Sequence, residues 1–330
     1  MGSAVKIAHI SDIHLGPLPP FALRHWNVKR ALGYLNWQRG RRHVHTRAAL
    51  DLISADMVSF APDHIAVTGD LVNIALPREY DAALGWLEGL GPPDRVSVIP
   101  GNHDIYTPMG GDPGVGRWAA YMQSDAYGLS VAAHGGDERP VAGDSGGRFP
   151  YVRRIGPVAI VGLNSAILTP PFVASGALGT HQLGRLPPIL DKIGRDGLAR
   201  VVLIHHPPLV GQATPIRGLK DAAELERVLI AHGAELVLHG HNHRDMLVWR
   251  RGKMGRFPVI GIATGSAHRS HHGEPPARYN LIEIKPVESG FRLTRRLRGI
   301  GADGGIVDLE HRELGGSPEL DTAGLRTAET

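Results

Sequence analysis

A chain of 330 residues, 42% apolar and 21% charged with a formal charge of +4, has the composition of a soluble globular protein able to bury one extensive core. Cysteine is absent, which excludes disulfides and any chemistry that needs a thiol. No apolar run approaches a membrane span and the start of the chain lacks a signal-peptide pattern, so a cytoplasmic location is expected; so small a net charge does not call for nucleic acid.

In chain order, Val5 to Ile10 is a nearly continuous apolar run of the kind buried on both faces of a sheet, ending at Ser11-Asp12. A basic insertion spans residues 21–47. Apolar residues at helical spacing predict a helix from Thr46 to Phe60, and His64 to Thr68 is the second strand, ending at Gly69-Asp70. A helix is expected from Glu79 to Gly89, then a strand from Arg95 to Ile99 ending at Pro100-Gly101-Asn102. Residues 106–149 are rich in Gly, Pro and Asp and read as a long surface excursion with one short helix around Trp118 to Gln123. Strands follow at Val158 to Leu163, Val201 to Ile204 and Glu235 to Leu238, alternating with helices at His181 to Lys192 and Ala222 to His232. Period-two segments from Met246 to Leu297 predict antiparallel strands, closing with Arg278 to Ile284 and Gly290 to Leu297. This divides the chain into one domain over residues 1–298 and a poorly patterned tail, expected to fray, over residues 299–330. Strands alternating with helices, then a cluster of strands, predict an α/β sandwich with a mixed sheet core.

Polar residues gather where these strands end: Asp12-Ile13-His14, Gly69-Asp70, Gly101-Asn102-His103-Asp104, His205-His206 and Gly240-His241-Asn242-His243. Taken singly, Asp12 is an ordinary cap, Gly69-Asp70 an ordinary turn and His205 an ordinary core imidazole. Taken together they place carboxylates, a carboxamide and imidazoles along one rim of a sheet, a mixed N/O donor set that suits Mn, Fe or Zn better than Ca. His205 and His206 are adjacent, and alternation along an extended chain sends them to opposite sides.

This series of motifs, in this order from Asp12 to His243, resembles the calcineurin-like metallophosphoesterase superfamily. The compact Asp-x-His start and the His-His-Pro-Pro segment resemble its bacterial cyclic-nucleotide-phosphodiesterase-like branch. The resemblance implies a four-layer αββα sandwich of two mixed β-sheets flanked by helices, holding two divalent or trivalent metal ions, Mn foremost in vitro. Carried over residue by residue, it implies that Asp12, His14 and His243 hold the first ion. Asp70 bridges, its two oxygens pointing apart, and Asn102, His205 and His241 complete the second; the first of the two adjacent histidines is the one the resemblance favours. His103 is implied as general acid, with Asp104 orienting it or fixing the turn. Two dications against two carboxylates leave a positive site that attracts phosphate, and the implied reaction is hydrolysis of a phosphodiester by a metal-activated hydroxide.

Three features lie outside those motifs. His268, His271 and His272 form either a substrate-contacting loop, with Arg269 available for phosphate, or an exposed polar loop; His206 either faces the substrate or packs beneath Pro207-Pro208. Residues 24–42 combine Trp26, Trp37 and Leu35 with a dense set of cations and read as a cap, a lid over an anionic substrate, or an interfacial helix on anionic lipid. Trp118, Tyr121 and Tyr127 either pack or stack against a base or acyl chain. The lipid reading goes with an alternative function, a pyrophosphatase or phosphoesterase peripheral to the inner membrane surface and acting on a lipid headgroup such as UDP-2,3-diacylglucosamine. A second alternative is a non-catalytic scaffold.

Overall fold

The computed structural model describes residues 3–20, 22–132 and 149–314. Part of the anticipated excursion, 133–148, and the end of the anticipated tail, 315–330, lie outside the described residues. In chain order the strands are β1 Val5–Ile10, β2 His64–Val67, β3 Val96–Val98, β4 Tyr151–Ile155, β5 Val158–Gly162, β6 Ala199–Leu203, β7 Leu236–His239, β8 Met246–Gly252, β9 Gly255–Gly261, β10 Arg278–Val287, β11 Gly290–Ile300 and β12 Ile306–Glu313. The helices are α1 Val28–Arg39, α2 Arg47–Ser59, α3 Pro77–Leu90, α4 Ala126–Ala132, α5 Gly179–Arg195 and α6 Ala222–His232.

Two six-stranded mixed sheets result, ordered β12-β11-β10-β1-β2-β3 and β4-β5-β6-β7-β9-β8. In the first, β1, β2 and β3 are parallel and β10 to β12 form an antiparallel meander. In the second, β5, β6, β7 and β9 are parallel, with β4 and β8 antiparallel at the edges. The period-two pleat divides the second sheet between two cores. Val158, Ile160, Val201, Leu203, Leu236 and Leu238 face the first sheet and share its core, while Ala159, Val161, Val202 and Val237 face α5 and α6. The outer face of the first sheet is covered by α2, through Leu50, Ile53 and Met57, and by α3, through Tyr80, Ala83 and Leu87. This is the layered sandwich of two mixed sheets that the sequence led us to expect.

Two strands depart from the sequence reading. β4 carries Arg153 at its centre, which hides its strand character; the guanidinium is buried and donates to the carbonyls of Gln123, Val96 and Ala120 at 2.6–2.7 Å. β12 falls in the segment expected to fray. None of its residues is buried, and it holds to β11 through the ladder and through cross-strand ion pairs such as Arg295–Glu310 at 3.1 Å and Arg296–Asp308 at 2.5 Å. Trp118 and Tyr121 are buried, Trp118 donating to the Tyr80 carbonyl at 3.1 Å, and Tyr127 donates to Asp196 at 2.8 Å; the three aromatics pack and bind within the fold.

Candidate metal centre

Parallel strands from both sheets end on one rim. Asp12 follows β1, Asp70 follows β2, Asn102 follows β3, His205 follows β6 and His241 follows β7, so the expected donors converge from sequence separations of up to 229 residues. The backbone turns sharply to present them. Asp12, His14, Asp70, His241 and His243 all sit at positive φ, between 38° and 70°, a left-handed conformation that costs of order 1–3 kcal/mol per non-glycine residue and concentrates at functional sites. Two glycines make room: a Cβ on Gly101 would stand 2.2 Å from Asp70 Oδ1, and one on Gly240 would stand 2.3 Å from Asp12 Oδ2.

The donors fall into two clusters joined by one oxygen. In the first, His14 Nδ1 donates to the Val72 carbonyl at 3.2 Å and His243 Nδ1 to Glu274 Oε2 at 2.9 Å. Both Nε2 atoms are thereby left with their lone pairs facing inward, 3.3 Å apart, and Asp12 Oδ1, buried and without a hydrogen bond, lies 3.3 Å from His243 Nε2. In the second, His205 Nδ1 donates to the Thr68 carbonyl at 2.7 Å, turning Nε2 toward Asn102 Oδ1 at 3.2 Å and His241 Nδ1 at 3.3 Å. Asp70 Oδ2 stands between the clusters, 3.8 Å from His14 Nε2 and 3.5 Å from His205 Nε2. Its other oxygen is taken by the His103 N–H at 2.7 Å. Were Asp70 to join the two clusters, Oδ2 is the oxygen it would offer to both, whereas the expectation had its two oxygens pointing apart.

The donor set fits a pair of cations. One proton can satisfy only one pair of lone-pair atoms in each cluster, whereas a cation serves all of them. The electrostatics agree. Burial disfavours charge on His205, but Asp70 and Asp12 outweigh it and raise its pKa to about 9; burial opposes charge on His243 too, and Asp12 and Glu274 raise it to about 9. The buried carboxylates thus favour positive charge in both clusters. Glu274, exposed in part, supplies the partner that fixes the His243 tautomer, as residues behind metal-bound histidines do.

His103 lies beside this centre, its ring 4.9 Å from that of His14 and stacked on Tyr106 at 5.4 Å. Its Nδ1 is 2.5 Å from the Asn73 carbonyl, which can only accept, so Nδ1 carries the proton and Nε2 is the free nitrogen. Asp104 does not orient it. The Asp104 carboxylate accepts from the backbone N–H groups of Asp70, Leu71, Val72 and Gly101 at 2.8–3.1 Å and so fixes the two turns against each other.

A cleft of about 430 Å³ opens above the clusters, lined by Asp70, Asn102, His103, His241 and His243 and by several residues the sequence reading did not select: Arg41, His45, Arg217 and Glu274. Arg41 comes from the turn after α1, so the basic insertion forms one wall of the cleft. Its Nη1 is 3.3 Å from His103 Nδ1, a donor facing a donor, and among the described residues the guanidinium has no carbonyl or carboxylate acceptor. Arg217 donates to the His241 carbonyl at 3.2 Å. Arg41 was legible only as one cation in a dense run, and Arg217 and Glu274 only as isolated charges in loops.

Two of the expected substrate contacts are not there. Arg269 is exposed and does not line the cleft, where the loop instead contributes His271 and His272. His206 is fully buried, with both ring nitrogens engaged, by Ser165 Oγ at 2.8 Å and the Ala174 carbonyl at 3.1 Å; it supports the His241 ring from beneath.

Two donor clusters sharing a carboxylate oxygen, at the strand ends of two facing mixed sheets, define a phosphoester hydrolase of the dinuclear-metal class. The chain belongs to the calcineurin-like phosphoesterase family, whose model matches residues 5–245. It is 26% identical over 289 residues to a protein of Synechococcus named as a probable cyclic nucleotide phosphodiesterase, a match covering 86% of this chain and 88% of that one. The fold is similar to that of a dimetal phosphatase from Danio rerio, with a TM-score of 0.53 at 14% identity over 93% of this chain and 99% of that one. It is also similar to part of a purple acid phosphatase from yellow lupin, with a TM-score of 0.52 at 13% identity over 93% of this chain and 53% of that one. The family assignment sets aside the scaffold alternative.

Proposed function

We propose that the protein is a metal-dependent phosphodiesterase, with Asp12, His14 and His243 holding one ion, Asn102, His205 and His241 the other, and Asp70 Oδ2 between them. The observation that carries this reading is the position of that oxygen, within 3.8 Å of an inward-facing nitrogen of each cluster. When bound, such a pair of ions supplies a water nucleophile deprotonated near neutral pH and neutralises charge on the phosphoryl oxygens. The chain's own residues do the rest. Arg41 and Arg217 approach the cleft from different loops and hold anionic oxygens that the ions leave uncovered.

His103 presents Nε2 to the cleft. With Nδ1–H committed to Asn73, it protonates a leaving alkoxide only after Nε2 has itself taken up a proton. Burial, and then the charge of Arg41, lower its pKa to about 3. An entering phosphate anion supplies the compensating charge, so His103 becomes an acid in the presence of substrate. The diester preference rests on the name of the Synechococcus relative.

The test is hydrolysis of bis(p-nitrophenyl) phosphate against p-nitrophenyl phosphate by metal-stripped protein resupplied with Mn. Mn-dependent turnover favouring the diester is expected; turnover of the monoester alone would reject the diesterase assignment. In the same assay His103→Ala should lose rate most with poor leaving groups, and a uniform loss would assign His103 to phosphate binding instead.

A further inference from the structure

Three chain segments frame the cleft and share a property that phosphate hydrolysis does not require. Residues 13–50 carry α1 and Arg41, residues 165–190 carry the loop ending at Ala174, and residues 204–220 carry Arg217; none contains an Asp or Glu, although 32 of the 330 residues are acidic. Arg24, Lys29, Arg39, Arg42, Arg217 and Lys220 are among their cations.

The same segments hold much of the exposed apolar surface. Val28 is 72% and Leu35 44% exposed, one face of α1 two turns apart; Leu168 is 54% and Phe172 82% exposed in the second segment, and Val210 63% and Ile216 57% in the third. Hydrogen bonds tie the three segments together. Lys29 Nζ donates to the Thr169 carbonyl at 2.7 Å, joining α1 to the second segment, and Ala174 N donates to the Ile216 carbonyl at 2.9 Å, joining the second to the third. Arg39, Ala174 and Arg217 reach the lip of the cleft itself.

We propose that this rim docks the protein on an anionic lipid bilayer, with the cleft opening at headgroup level. Exposed aliphatic and aromatic side chains among cations, on three segments that carry no acidic residue to repel an anionic leaflet, are what an interfacial surface needs. A nucleic acid would find cations but no use for Val28, Leu168, Phe172 and Ile216. A protein partner would not require the complete absence of acids over three separate segments. Among the described residues no helix is long and apolar enough to cross a membrane, and the contact proposed is a peripheral one. The inference widens the lipid reading of the basic insertion to two further loops, and it does not depend on which ester the cleft cleaves.

The test is co-sedimentation of the full metal-loaded chain with vesicles of phosphatidylcholine alone or with added phosphatidylglycerol. Binding is expected only with phosphatidylglycerol, and should weaken with salt. Phe172→Asp should cut partitioning roughly tenfold or more, and Arg42→Gln about fivefold. Met254→Asp serves as the control: Met254 is 70% exposed but precedes β9, at the end of the sheet opposite the cleft, and its variant should bind like the parent. Thermal melts matching the parent would establish that the variants fold. Absence of binding, equal binding to neutral vesicles, equal loss in Met254→Asp and Phe172→Asp, or full displacement by an oligonucleotide would each overturn the proposal.

Discussion

Arg41→Gln separates function from stability most sharply. The guanidinium is half-buried in the cleft wall, meets His103 Nδ1 donor to donor at 3.3 Å, and has no acceptor among the described residues. Burial lowers its pKa, while Asp70, Tyr106, Asp12 and Glu274 attract it from a distance. Such a cation contributes little to the substrate-free fold and a good deal to any phosphoryl oxygen that comes within reach. A hydrogen bond from a charged donor contributes about 1.5–3 kcal/mol, which predicts a loss of about 10- to 150-fold in kcat/KM and a comparable weakening of competitive inhibition by inorganic phosphate. Stability should move the other way, because glutamine removes a desolvated charge with no partner: Tm should hold or rise. Both readouts come from one preparation, as rates on bis(p-nitrophenyl) phosphate and a thermal melt. Unchanged kcat/KM, or a Tm that falls in step with activity, would show that Arg41 braces the turn after α1 and does not bind phosphate.

Two further outcomes follow from buried histidines. Glu274→Gln exchanges the carboxylate that orients His243 for a neutral amide, and should weaken metal affinity about 10- to 100-fold in a chelator competition; unchanged affinity would mean that the Nδ1 contact does not set the ligand. His64, remote from the cleft and bonded to Ser97 Oγ at 2.8 Å, has its pKa lowered to about 3, by burial first and then by Arg153 and Arg95. The unfolded chain takes up that proton near pH 6.5 and the folded chain does not, so the stabilising contribution is complete above pH 6.5 and is lost as pH falls from there toward 3. The loss from this residue is about 1.4 kcal/mol per pH unit, and denaturant titrations of the parent and of His64→Asn across that range should differ by this slope. Parallel pH profiles would contradict the assignment.

Strand ends were legible because the strands entering the site are apolar on both faces and stop abruptly at Asp12, Asp70, Asn102, His205 and His241, a change of character that needs no knowledge of the fold. β4 and β12 were hidden for the opposite reason. Their stability comes from guanidinium contacts with distant carbonyls and from ion pairs across strands, and neither leaves a hydrophobic period. The substrate side of the cleft was equally hidden. Arg41 and Arg217 are ordinary loop cations until a tertiary fold brings the turn after α1 and the segment before α6 to the same opening, whereas Arg269, beside His268 in sequence, is exposed and does not line it.

The backbone strain at the centre indicates how its ligands are held. Five donors at positive φ would relax if their turns were free, yet each turn is tied to another by buried hydrogen bonds: Asp12 N to the Gly69 carbonyl at 2.9 Å, His14 N to the Asp70 carbonyl at 3.0 Å, His241 N to Asp12 Oδ2 at 2.9 Å. Asp104 closes the arrangement by accepting four N–H groups from the turns that carry Asp70 and Asn102. None of these bonds uses an inward-facing donor atom. The framework can therefore carry the strain without drawing on the atoms that would bind metal, and it keeps those atoms within 4.8 Å of one another inside each cluster. Affinity for the ions then arises from preorganisation as much as from ligand identity, and glycines such as Gly101 and Gly240, which touch the Asp70 and Asp12 carboxylates, are as much a part of the centre as the ligands themselves.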